Sequence, residues 1–170
     1  MKSVKKKDQF ENLKYSIARI KTLSFFINEL FHDLNPKKEL KVELAQLLGI
    51  NVEANIIDFR LKIYYFYLDK PTDLLTEIII QNVFKVEELN TYLKNENLVL
   101  PPQLIVSLIS MSISHGRSLL CQNLAGTVYQ DFILPITNPA DVAQQFFPQM
   151  FDENGEMKEE TEFFLTPKLG

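Results

Sequence analysis

The side chains able to perform nucleophilic, acid–base or metal chemistry are few and scattered. There are two histidines, His32 and His115, and one cysteine, Cys121. Neither histidine belongs to an HExxH pair, and Cys121 has no second thiol with which to build a zinc site. His32 is followed by Asp33, but no nucleophile stands near them in the sequence. His115 precedes Gly116 and Arg117 in a helical stretch, where an imidazole held at an interface by one polar partner is expected. Cys121 cannot form an intrachain disulfide, and a buried, inert thiol is expected of it. The five glycines, at 49, 116, 126, 155 and 170, are spaced too widely for a loop that cradles phosphate. No catalytic residue, cofactor or metal is expected, and the chain reads as a binding protein and not as an enzyme.

The residues that could carry binding are apolar. Thirteen Phe and six Tyr occur with no Trp, in a chain of 170 residues that is 46% hydrophobic and 24% charged. Such rings either fill a core or line an exposed apolar surface. Four runs have strand character. The first, Tyr15–Phe26, alternates imperfectly. The second is Leu40–Leu44, with Leu40, Val42 and Leu44 opposed to Lys41 and Glu43. In the third, Ile57, Phe59, Leu61, Ile63, Tyr65 and Tyr67 share one face, a period of two that marks a strand with one buried side. The fourth spans about Leu74 to Val86, with a bulge expected at Gln81-Asn82. The polar link 69–73, with Pro71, suits a hairpin. The segment Asn28–Lys38 is too long and too apolar for a tight turn, so a crossover over the fold is expected.

After residue 95 the period changes. Pro101-Pro102 open a helix in which Leu104, Leu108 and Met111 run beside Ile105, Ile109 and Ile113. Its polar side is mostly Ser107, Ser110, Ser112 and Ser114. Asn138-Pro139-Ala140-Asp141 supplies an N-cap, a first-turn proline and an acid for the dipole of a second helix, which Pro148 ends. Strands followed by helices give an α+β fold: a four-stranded antiparallel sheet with a long crossover after strand 1, then a long helix and a short C-terminal helix.

One folded domain, 15–151, is expected between a basic tail, 1–14, and an acidic tail, 152–170. The lysine-rich start has no apolar stretch behind it, and no apolar run approaches the ~20 residues of a membrane span. A soluble, cytoplasmic chain without membrane insertion is expected. The net charge of −4 speaks against nucleic acid as a partner.

Several stretches, in order, are similar to the SecB protein-export chaperones over about residues 17–147. Ile17-Ala18-Arg19-Ile20 resembles the family's opening strand and Glu39–Leu44 its second. Glu77 to Val86, ending Val83-Phe84-Lys85-Val86, resembles its fourth, and Pro102–Arg117 the start of its long helix. Gly126-Thr127, then Leu134-Pro135-Ile136-Thr137-Asn138 and Asp141, resembles the block before its last helix. The sequence departs from the family at Gln81-Asn82, where a double glycine is usual, at Ser118, and throughout the tail from Asp152. The resemblance implies a homotetramer, a dimer of dimers with long helices between subunits, whose apolar grooves hold unfolded clients without ATP. Preproteins or one dedicated polypeptide, such as an antitoxin, are the implied clients. The family's tail helps to dock on the SecA motor, so the divergent tail leaves a SecA partnership open.

Two surfaces are expected on this reading. Leu104, Leu108, Met111, Ser112 and His115 form an oligomer interface, because so wide an apolar helix exceeds what one sheet covers. Phe25, Phe26, Phe31 and Leu34 of the crossover region face Phe146 and Phe147 of the last helix across a client groove. Adjacent helical residues lie about 100° apart, so one of the two rings must turn away from the sheet. The alternative reading is an interaction module of the same fold that holds one folded partner.

Overall fold

A computed structural model describes residues 13–30, 34–35 and 37–164. Strands β1 (Tyr15–Ile27), β2 (Leu40–Asn51), β3 (Ile56–Tyr67) and β4 (Lys70–Val86) form one antiparallel sheet in the order β1-β4-β3-β2. The three strands from β2 to β4 are a meander. β1 lies on the far edge beside β4, so the chain must cross the sheet between Ile27 and Leu40. The fold class expected from sequence is the one observed.

The alternation in β3 sets the two faces. Ile57, Phe59, Leu61, Ile63, Tyr65 and Tyr67 are buried on the inner face, with Ile78, Ile80 and Phe84 of β4 beside them. Helix α1 (Pro102–Leu124) lies on that face. A Cβ on Gly116 would come within 2.9 Å of Ile63 Cδ1 and 3.2 Å of Leu61 Cδ2, so glycine allows this close approach. By length and composition alone α1 could cross a bilayer, which the sequence reading did not anticipate. Here its apolar stripes are spent on the sheet, and ten of its residues are buried, which is the packing of a core helix. Helix α2 (Pro139–Phe146) begins as its sequence dictates: Asn138 Oδ1 accepts from the Ala140 N–H at 3.1 Å.

The outer sheet face carries ion pairs among apolar residues such as Leu47 and Phe26. Asp58 pairs with Arg60, Lys62 with Glu77, and Lys41 with Glu43. Gln81 accepts from Arg19 and donates to Asp58. These contacts explain why no bulge occurs at Gln81-Asn82. Both residues stay in register opposite Arg60 and Phe59, and the shifts fall instead near Ala18, Leu23 and the end of β3. The second strand also runs seven residues beyond Leu44. Its alternation breaks at Leu47-Leu48 because Leu47 looks outward, which hides the continuation from a period-two reading.

A second sheet was not expected. Strands β5 (Leu93–Lys94) and β6 (Asn97–Leu100) form a hairpin whose turn residues, Asn95 and Glu96, both take positive φ. Strand β7 (Thr161–Phe164) adds to β6 antiparallel, giving the order β5-β6-β7. Part of the acidic tail is therefore built structure. Glu160 pairs with Lys94 and Glu162 accepts from Asn97, while Thr161 and Phe163 are buried. Of the charges that read as a solvated tail, Glu162 belongs to this strand and Glu160 immediately precedes it.

Candidate functional site: a groove between two strand edges

β2 and β7 are edge strands of different sheets, and each leaves one side of its backbone unpaired within the described residues. They line a common groove of about 730 Å³. Gln46, Leu47, Leu48 and Ile50 come from β2; Glu160 and then Thr161, Glu162 and Phe163 come from β7 and the residue before it; Phe147, Gln149 and Lys158 complete the lining. A cavity over the face of a strand meets every second residue. Here consecutive residues of both strands line it, so the groove runs along the backbone edges.

The floor is set by the pleat. Gln46, Leu48 and Ile50 sit on the inner side of β2, opposite Leu61, Phe59 and Ile57. Phe147 is only 5% exposed and stands edge-on to Phe163, with ring centroids 6.0 Å apart. Four apolar side chains, Leu48, Ile50, Phe147 and Phe163, thus share the floor with two polar ones, Gln46 and Thr161. Gln46 Oε1 and Thr161 Oγ1 are buried without a hydrogen-bond partner among the described residues. Lys158, Glu160 and Glu162 supply the charges of the groove.

Of the six residues expected to bind clients, the five that are described do not all line this groove. Phe25 is half-buried in β1 and packs against the core. Phe26 is 46% exposed on the outer face and borders a separate depression with Asn28, Leu30 and Leu74. Phe31 lies outside the described residues. Leu34 and Phe146 pack at the margin of the core. Among the five that are described, Phe147 alone lines the groove, and Phe146 is the ring that turns away. The β2 residues escaped notice because the second strand was ended at Leu44. The signal for Phe163 was present in the Phe163-Phe164-Leu165 triplet, an apolar cluster too dense for a solvated tail.

The expected oligomer interface is also rearranged. Leu104, Leu108 and Ser112 are buried by their own chain and offer nothing to a second copy. Its own chain covers more of α1 than the two-stripe pattern implied, because α2 packs against the helix in addition to the sheet. Met111 and His115 remain half-exposed. His115 Nδ1 lies within hydrogen-bond distance, 2.7 Å, of Asn82 Oδ1. Burial holds the imidazole below its ordinary pKa, so it is neutral at pH 7. Cys121, expected to be buried, is exposed on the serine side of α1. No group of three His, Cys, Asp or Glu is placed to hold a metal among the described residues.

No protein-family model matches the sequence, and no curated protein matches it. Among solved structures the chain is similar to the Mycobacterium tuberculosis Rv1957 SecB-like chaperone in complex with a ChAD peptide from the Rv1956 HigA1 antitoxin. The two are 12% identical, with a TM-score of 0.48, over 72% of this chain and 90% of that one.

Proposed function

We propose that the chain is an ATP-independent holding chaperone that captures unfolded polypeptide by strand addition along β2, in the groove that β7 walls. The observation that carries this reading is the pair of unpaired strand edges over a shared apolar floor. An edge strand offers N–H and C=O groups that any extended chain can pair with, whatever its sequence. Every second side chain of an added strand then falls toward Leu48, Ile50, Phe147 and Phe163. Apolar burial stabilises such a complex by roughly 25 cal/mol per Å², less the cost of ordering the client. Nothing in that mechanism consumes a nucleotide. The order of motifs set out above supports the same reading, with preproteins or a dedicated cytoplasmic polypeptide as clients.

We further propose that the protein works as an oligomer assembled through β1. Tyr15, Ile17, Ile20 and Leu23 are exposed on this edge strand, and Ile17 and Ile20 lie on the side of the sheet that carries α1. Of the α1 residues expected at an interface, Met111 and His115 are the two still half-exposed.

Light scattering from a chemically unfolded client, with no ATP present, tests the chaperone reading. The protein should suppress aggregation, and Leu48→Arg/Ile50→Arg should lose most of that activity while keeping its melting temperature. A client peptide N-methylated at alternate residues should compete poorly, because it cannot pair with an edge strand. Full activity in the double variant, or equal competition by the methylated peptide, would rule strand addition out.

A further inference from the structure

The ladders of β2 and β7 show which backbone groups each strand leaves free. Just past the end of β3, the Leu68 N–H donates to the Glu39 carbonyl at 2.9 Å. Bonded and non-bonded positions alternate along an antiparallel pair, and the β2–β3 register has no shift. Ala45, Leu47 and Gly49 therefore bond to β3, while Gln46, Leu48 and Ile50 turn their N–H and C=O to the free edge. These three line the groove. On the other side, the two-residue turn Asn95-Glu96, with positive φ at both, makes Lys94 and Asn97 a bonded closing pair. By the same alternation Val99 faces β5, and Leu98 and Leu100 bond to Phe163 and Thr161 of β7. Glu162, between them, turns its N–H and C=O outward, and it lines the same groove.

The two edges do not bond to each other. Their Cα atoms stand more than 8 Å apart at all but at most two residue pairs, whereas paired strands lie about 4.8 Å apart. They are too distant to pair directly and near enough to wall one cavity. A strand inserted between them needs two such spacings, roughly 9.6 Å. One residue of an extended chain within a sheet fills roughly 160 Å³, from its rise, the strand spacing and the depth to the next layer. The groove of about 730 Å³ thus holds about four to five residues. β7 has four residues, and the groove-lining part of β2 runs from Gln46 to Ile50.

Resting on the strand-addition reading, we infer that the client strand bonds to both edges at once, joining the two sheets through itself. Successive residues of a strand direct their N–H and C=O to opposite sides. A bridging segment therefore uses the backbone of every residue, one set toward Leu48 and Ile50, the other toward Glu162. The client is then defined as a run of four to five extended residues without proline, since no position in it can spare its N–H.

Fluorescence anisotropy with three labelled nine-residue peptides tests this on the full-length protein. All alternate leucine and lysine; one is unmethylated, one is N-methylated at the leucines and one at the lysines. Bridging requires both methylated peptides to bind at least about tenfold more weakly than the parent. If either binds as the parent does, only one edge is used and the bridge is overturned. If the parent does not bind, the strand-addition reading itself falls. Glu162→Pro removes the free-edge N–H of β7 without touching the ladder to β6, so it should weaken binding of the parent peptide, whereas Glu162→Ala should not. Equal affinities in the two variants overturn the bridge. Should the proline variant unfold, amide exchange of the wild type decides. The parent peptide should slow exchange at Leu48, Ile50 and Glu162, and slowing confined to β2 overturns the bridge while leaving strand addition in place.

Discussion

Among the buried polar groups, Tyr65 makes the cleanest test of how this core is balanced. It is 2% exposed, its ring lies 4.9 Å from that of Phe132, and its hydroxyl has no partner among the described residues. Burial pushes its pKa up to about 12, so it is neutral at any working pH. Tyr65→Phe removes the unpaired oxygen and keeps the ring. Its melting temperature should equal or exceed that of the wild type, by up to about 3 °C. A drop of several degrees would mean that the hydroxyl is hydrogen-bonded after all. The sequence placed Tyr65 correctly on the inner face of its strand, because period two is a property of the backbone. What it could not convey is whether the hydroxyl at the ring's end meets a partner. The same limit applies to Gln46 and Thr161, which line one groove although more than a hundred residues separate them.

Elements with a single strong local signal were legible; those defined by a neighbour were not. The α2 cap, the start of α1 and the faces of β3 follow from residues adjacent in sequence. β7 follows from none of its own. Thr161, Glu162 and Phe163 make a strand only because β6 offers an edge and Phe147 a surface for Phe163. A chain ending at Glu159 should therefore lose more than a tail. It forfeits the ladder to β6 and the burial of Phe163, together worth about 2 kcal/mol, which lowers the melting temperature by roughly 4–8 °C. Differential scanning calorimetry reads this directly, and an unchanged transition would show that β7 adds nothing to the fold. The truncated chain should also lose client binding, since one wall of the groove is gone.

At the scale of the whole molecule, the sheet order β1-β4-β3-β2 is the feature from which most else follows. It puts β2 on one edge, beside the groove, and β1 on the other, where Tyr15, Ile17, Ile20 and Leu23 are exposed. Ile17→Asp/Ile20→Asp should shift the sedimentation coefficient toward that of a monomer without abolishing capture of a short peptide. A wild-type protein already monomeric at micromolar concentration would contradict assembly through β1. The same order also fixes a sequence of events in time. Tyr15 pairs with Val86, about 70 positions later, whereas β2, β3 and β4 each join a strand adjacent in the chain. At roughly 5–20 residues per second of synthesis, β1 is out of the ribosome some 4–14 s before its partner exists. For that interval Ile17, Ile20, Phe25 and Phe26 form an extended, apolar, unpaired segment. Each newly made copy thus passes through the condition that its finished siblings are proposed to recognise, and β1 is the first unfolded strand this protein has to keep from going astray.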